Sequence, residues 1–175
     1  MSALLDSLEF VRPLTMTTRQ PRAEERDGAH YIFSTHEAFL TTQKSGELVE
    51  HANVHGELYG TPREQLRLAL ASEQDVLLQV DVQGAISIRQ AIPDALLLFI
   101  APDSFEQIAQ RLEERGADEA ERAHRLKTAH SELSQIEAFD HSIINIEGDL
   151  DGTVEQVRLW VDSQRNRPDR TKIEV

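Results

Sequence analysis

Three apolar runs constrain this chain more than anything else in it: residues 76–82 (VLLQVDV), 95–101 (ALLLFIA) and 141–146 (HSIINI). Each has the length of a strand and carries apolar residues at both odd and even positions, so both faces call for burial. Helix-type patterning separates them, over 85–91, 104–115 and 118–139. Doubly buried strands alternating with helices predict an α/β fold built on a parallel sheet. A closing helix is expected over 150–163, followed by a polar tail, 164–175, with little to hold it.

The first third of the chain is patterned differently. Residues 3–8 are helix-compatible, and 10–16 read as a strand with a bend or edge at Pro13. A polar, arginine-rich stretch over 17–28 ends in the turn signal Asp27-Gly28, and 31–33 form a short β run. Ser34 is placed to cap a helix, with Glu37 completing a capping box and Gly46 stopping it. Residues 48–60 (LVEHANVHGELYG) predict two strands about a turn at Gly56. A helix over 62–72 follows, with Pro62 at its first position. This part reads as a mostly antiparallel segment set into the α/β frame.

Charge limits the partners. Thirty-one acidic against eighteen basic side chains leave a net charge of −13, which argues against binding a nucleic-acid polymer through its phosphates. A small phosphorylated ligand stays open, because a local arginine cluster can outweigh a distant acidic surface. Fifteen of the eighteen basic residues are arginine, whose planar fork grips phosphate by two bonds. With no cysteine, the chain has no disulfide, thiolate metal site or cysteine nucleophile. No apolar run approaches the roughly 20 residues of a membrane-spanning helix, and the first ten residues lack the basic start of a signal peptide. No membrane association and a cytoplasmic location are therefore expected.

The residues that carry chemistry cluster before position 62. Thr15, Thr17, Thr18, Arg19 and Arg22 are followed by Tyr31 and then by Tyr59-Gly60-Thr61-Pro62. Two arginines three apart, beside hydroxyls and two phenols, suit a dianionic phosphate. Spacing alone is equally met by a solvated loop.

The ordered blocks TTRQPRAEERDGAHYIF, GELVEHANVHGELYGTP, DVLLQVDVQGA, LFIAPDSFEQIAQRLEERG and RLKTAHSELSQIEAFDHSIIN resemble guanylate kinase, over about residues 11–160. The resemblance implies a single P-loop-kinase-like domain over 1–163, with an inserted GMP-binding segment at about 17–61 and a helical lid at about 111–125. It implies phosphoryl transfer from MgATP to GMP, giving ADP and GDP, with Mg²⁺ arriving with ATP. By the same resemblance the GMP phosphate meets Thr15, Arg19, Arg22, Tyr31 and Tyr59. Glu50 reads the guanine with Thr61 and Asp81. A carboxylate suits guanine because it can accept from both N1–H and the N2 amino group, which adenine cannot offer. Arg111, Arg115 and Arg125 become the catalytic lid arginines that clamp ATP phosphates, and Asn145 lies by the adenine. The alternative for the arginines is a solvated helix face shared with Glu113, Glu114, Glu119 and Glu121. For Asp81 it is a cap at the end of a strand.

Several positions depart from the family pattern. Thr15 stands where serine is more usual, Gln79 replaces a common acidic residue, and His51 replaces an aromatic one. The stretch between Gly116 and Arg125 is one residue short, His124 replaces a basic neighbour, and Glu147-Gly148 lengthens a turn. His51 and His55 are four apart, but on strands around a turn rather than on a helix, so they do not form a zinc pair. Trp160 reads as a packing residue, and Arg165, Arg167 and Arg170 as solvated.

A P-loop requires Gly, four residues, then Gly-Lys-Ser/Thr, so that backbone N–H groups cradle phosphates. No glycine precedes Gly28, and none of Lys44, Lys127 and Lys172 follows a glycine. The resemblance then implies that the family's P-loop and its central first strand are missing from these residues. Two expectations follow. Phosphoryl transfer is impaired, and the strands at 76–82 and 96–100 either pair directly or keep unpaired edges. A shortened form of a longer protein and a true loss both remain open. So does a non-catalytic module that binds GMP or a phosphorylated peptide. The sequence does not fix an oligomeric state.

Overall fold

The computed structural model describes residues 10–54, 56–72, 74–168, 171 and 173. The expected helix at 3–8, His55 and Arg170 lie outside the described residues. The chain divides into two compact units, Met1–Ala95 with Thr171–Val175, and Leu96–Arg170. Both carry helices and parallel strand pairs, so the fold is α/β with parallel sheet, as the apolar runs predict.

In the first unit, strands β2 (Met16–Thr17), β3 (Ile32–Phe33), β4 (Leu48–Val54) and β5 (Glu57–Pro62) form one sheet of order β3-β2-β5-β4. The β4–β5 hairpin is antiparallel, and its register sets Glu50 opposite Thr61 and Ala52 opposite Tyr59. Its turn uses Gly56 at φ +89°, a left-handed value that glycine adopts without steric cost. The Asn53 side chain accepts the Gly56 N–H at 2.9 Å. β2 pairs antiparallel with β5 and parallel with β3. Helix α1 (His36–Lys44) drives the fully buried Phe39 against Gly60, where a Cβ would lie 3.1 Å from the ring. Burying such a ring contributes about 1.5–3 kcal/mol.

Helix α2 (Arg63–Leu70) buries Leu66 and Ala69, and α3 (Val82–Ala91) packs against β4 through its buried Val82, Ala85 and Ile88 face. A parallel pair, β1 (Phe10–Val11) and β6 (Asp75–Val76), completes the unit. Its core cluster of Val49, Leu66 and Ile92 is covered by Leu70, Val76, Leu78, Ala95 and Ile173. Ile173 belongs to the tail that the sequence leaves unanchored; its apolar side chain finds a partly buried place on this core.

The second unit has parallel strands β7 (Leu98–Pro102) and β8 (His141–Asn145) with helices α4 (Phe105–Glu114), α5 (Glu119–Leu133) and α6 (Leu150–Arg165). Ser104, Asp118 and Asp149 each cap the helix that follows by accepting a backbone N–H. Phe99 meets Phe139 edge-on at 5.0 Å, and Trp160 stacks on His141 at 5.7 Å, so the indole is a packing group.

Five local expectations are corrected. The strand at 76–82 shrinks to β6, because only Asp75 and Val76 register with β1. Leu77 adds a bond to Val11, and the helix already starts at Val82. The strand at 10–16 breaks at Pro13 into β1 and β2, which join different sheets. The cap of α1 is Thr35 rather than Ser34, with its side chain accepting from Ala38 N–H at 3.2 Å, so Glu37 falls inside the first turn. Pro62 precedes α2 as its cap residue instead of opening it. Direct pairing of the runs at 76–82 and 96–100 is not found among the described residues: β6 pairs with β1, and β7 pairs with β8.

Candidate functional site

The hairpin register builds the first half of the site. Residues opposed across a ladder share a face, as do residues two apart on a strand. Glu50 opposes Thr61, Ala52 opposes Tyr59, and Tyr59 opposes Thr17, which pairs on with Phe33. One face of the sheet therefore carries Glu50, Thr61, Tyr59 and Phe33, with Tyr31 two residues before Phe33.

At one end of that face the Arg19 guanidinium lies 5.4 Å from the centre of the Tyr31 ring and 5.9 Å from that of Phe33. Its Nε donates to the Tyr59 hydroxyl at 3.2 Å, and its terminal nitrogens donate to the Gln20 carbonyl at 2.7 Å and to both Glu25 oxygens at 2.9 Å. Burial opposes the charge on Arg19, but the bonds to Glu25 and Tyr59 outweigh it and raise its pKa above the ordinary value. Because the Tyr59 oxygen accepts from Arg19, its own O–H is left to donate elsewhere. The Tyr31 and Tyr59 rings meet edge-on at 6.4 Å.

Arg22 is exposed; its backbone N–H donates to Glu25 at 2.8 Å. That bond is the main reason the Glu25 carboxyl sits below its usual range, with Arg19 adding to it. Thr15 serves the sheet through its carbonyl, which accepts from Ile32 N–H at 2.9 Å. Sequence reasoning missed Glu25. An acidic residue six positions after an arginine in a loop gives no periodic signal, and only the fold brings the two together.

At the other end, Glu50 is 5% exposed, and its Oε1 accepts from the Thr61 hydroxyl at 2.6 Å. Thr61 is fully buried. Burial pushes the Glu50 carboxyl above its usual range and the Asp81 charge adds to this, while the Thr61 bond pulls the other way. Asp81 caps α3, its Oδ1 accepting from Gly84 N–H at 2.7 Å; it is a helix cap rather than the strand-end cap weighed from sequence, and the bond occupies one of its two oxygens. A cleft of about 480 Å³ lined by Thr18, Arg19, Phe33, Thr35 and Glu57, among others, adjoins this face only through Arg19 and Phe33. It does not include Glu50, Thr61 or Asp81.

The second unit carries the remaining candidates. Arg111 on α4 is ion-paired with Glu147, which belongs to the lengthened turn after β8. Arg115 is exposed and ends α4, and its backbone N–H donates to the Arg111 carbonyl. Arg125 pairs with Glu121 one turn earlier on α5, and Arg122 reaches Glu113 at 3.6 Å. The Asn145 side-chain oxygen accepts from Thr153 at 3.1 Å. Among the described residues no three His, Asp, Glu or Cys side chains converge as a metal site, and no helix is long and apolar enough to cross a membrane. His51 instead contacts Gln43 at 3.1 Å.

Known proteins match this chain along most of its length. The family model described as guanylate kinase matches residues 2–164. A guanylate kinase of Nitrosomonas europaea is 43% identical over 163 residues, which cover 93% of this chain and 80% of that protein. One from Caldanaerobacter subterraneus subsp. tengcongensis is 36% identical over 160 residues, or 91% of this chain and 77% of its own. The crystal structure of guanylate kinase from Anaplasma phagocytophilum aligns with a TM-score of 0.78 at 30% identity, covering 95% of this chain and 81% of that one. Similarity of this extent, continuous through both units, means that the chain belongs to the guanylate kinase family.

Proposed function

We propose that this chain binds GMP and serves phosphoryl transfer from ATP to it. The observation that carries the reading is the shared face of β5, with a buried carboxylate at one end and a guanidinium bonded to a phenol at the other. Glu50, held by Thr61, accepts from guanine N1–H and N2–H. Asp81 adds negative potential there. Arg19, Arg22 and the hydroxyls of Tyr31 and Tyr59 hold the phosphate, with Thr15 beside them. The segment 17–61 is thus the GMP-binding segment of a domain over 1–163.

On the ATP side, Arg111, Arg115 and Arg125 in a lid over about 111–125 neutralise charge on the phosphates, and Asn145 lies by the adenine. Arginines act there by electrostatic stabilisation, which dominates phosphoryl transfer. Their present ion pairs with Glu147 and Glu121 must open first. The described carboxylates do not form a cage for a resident ion, and one Asp81 oxygen is committed to its cap. On this reading Mg²⁺ would enter with ATP and neutralise phosphate charge. A cytoplasmic location, with both nucleotides at hand, goes with this reading.

The 175 residues contain no Gly-x-x-x-x-Gly-Lys-Ser/Thr run, so we expect turnover by this polypeptide alone to be impaired by orders of magnitude. The same observation favours a second reading, a module that binds GMP or a phosphorylated peptide without turnover. A coupled ADP-release assay separates the two, since sustained GMP-dependent release removes the second. Calorimetry tests what they share. Arg19→Ala should weaken GMP about 10- to 100-fold, the size of a lost hydrogen bond to a charged group. Unchanged affinity, or no heat from folded parent protein, rejects GMP recognition.

A further inference from the structure

Gly84 sits in the first turn of α3, where neither backbone conformation nor helix propensity calls for glycine. It is buried and lies in the helix without a left-handed φ. In such a position glycine costs roughly 1 kcal/mol relative to alanine. What its missing side chain provides is room. A Cβ at Gly84 would lie 2.9 Å from Oε2 of Glu50, 3.0 Å from Cβ of Val80 and 3.1 Å from Oδ1 of Asp81. The other oxygen of Glu50 is the one bonded to Thr61. The buried carboxylate is therefore bracketed, with a hydroxyl donor on Oε1 and the bare first turn of α3 against Oε2.

We propose that Gly84 is a specificity-positioning residue, setting the plane of the Glu50 carboxylate so that both oxygens meet the guanine edge. The inference rests on the proposed reading in which Glu50 recognises the base, and Gly84 acts through Glu50. A methyl group here meets Val80 Cβ, the Asp81 oxygen already held by its bond from Gly84 N–H, and the end of the Glu50 side chain. The end of the side chain moves at least cost, so the Glu50 carboxylate rotates or withdraws. The fold survives, and the aim of the carboxylate is lost.

The test is calorimetry of the full 175-residue chain and its Gly84→Ala, Glu50→Gln, Glu50→Asp and Gly84→Ala/Glu50→Asp variants. The ligands are GMP and AMP, which share ribose and phosphate. Gly84→Ala is expected to weaken GMP about tenfold or more, equivalent to about 1.4 kcal/mol, with AMP affinity within about twofold. Its thermal midpoint should stay within about 4 °C of the parent, since gained helix propensity offsets part of the crowding. Aspartate at position 50 draws the carboxylate back by one methylene. Adding Gly84→Ala to Glu50→Asp should therefore cost little further GMP affinity, a non-additivity expected of groups in contact.

If Gly84→Ala keeps the full preference for GMP while Glu50→Gln loses it, the inference is overturned and the reading of Glu50 stands. If Glu50→Gln keeps that preference, the base-reading assignment itself fails and takes the inference with it. Additive losses in the double variant, or failure of both Gly84→Ala chains to fold, also overturn it, because Gly84 is then a packing residue only.

Discussion

Glu50 is a buried carboxyl to which the chain gives one hydroxyl donor and little water. Its pKa is raised by burial above the 4.5 of an ordinary glutamate. The native state thus holds the proton more tightly than the unfolded chain. The stabilisation this gives is full below about 4.5 and is lost as pH rises through the raised folded value. Once ionised, the group is a cost to the fold, which on the proposed reading two donors from a base compensate. Glu50→Gln keeps an acceptor for Thr61 and removes the charge. Its thermal midpoint should therefore equal or exceed that of the parent once pH is above the raised folded value, with less pH dependence above pH 4.5, while its preference for GMP over AMP disappears. A lower midpoint throughout would mean that the fold itself compensates the ionised carboxylate. On the proposed reading of Glu50, GMP affinity of the parent should fall as pH drops towards 4.5, since only the ionised carboxylate would accept from both N–H groups. That slope should be weaker in Glu50→Gln.

Among the elements, helix α1 shows how a cap can be misplaced by one residue. The sequence offers Ser34 and Thr35 side by side, and the Glu37 spacing favours serine. The fold chooses threonine, whose hydroxyl accepts from Ala38 N–H, while Ser34 donates to the Thr35 carbonyl. Thr35→Ala should cost about 1 kcal/mol in urea unfolding, and Ser34→Ala should stay within about 0.5 kcal/mol. The reverse order would restore the capping box. The hairpin was legible because alternation and the glycine turn are local signals, and its register alone gathers Glu50, Thr61 and Tyr59. The run at 76–82 misled because strand character needs a partner, and apolar sequence cannot say that only its first two residues have one. Contacts between loops, such as Glu25 on Arg19 or Glu147 on Arg111, leave no mark in periodicity at all. The arginines were readable as residues, but the carboxylates that hold them were not.

At the scale of the molecule, the chain leaves its first unit after Ala95 and returns to it at Thr171. Ile173 then covers the cluster of Val49, Leu66 and Ile92, of which Val49 is next in sequence to Glu50. A tail read as unanchored is thus part of the unit that carries the Glu50 carboxylate, and Ile173→Ala should destabilise by about 1–3 kcal/mol in urea unfolding, less than a fully buried isoleucine would. The division also sorts the proposed ligands. Thr15, Arg19, Arg22, Tyr31, Glu50, Tyr59, Thr61 and Asp81 all fall in the first unit, and Arg111, Arg115, Arg125 and Asn145 all fall in the second. Arg125→Ala removes a half-exposed ion pair with Glu121, a contact of the kind that contributes about 0.3–0.5 kcal/mol on a helix surface, so the variant should fold like the parent. If the donor and acceptor functions are divided as the units are, its affinity for GMP should stay within about twofold of the parent by calorimetry, and Arg19→Ala should lose it. Any ADP release measured for the parent should drop in Arg125→Ala at saturating GMP, with the loss in kcat rather than in the KM for GMP. A tenfold change in GMP affinity from Arg125→Ala alone would show that the second unit contributes to holding the monophosphate, and the assignment of its arginines to ATP would have to be given up.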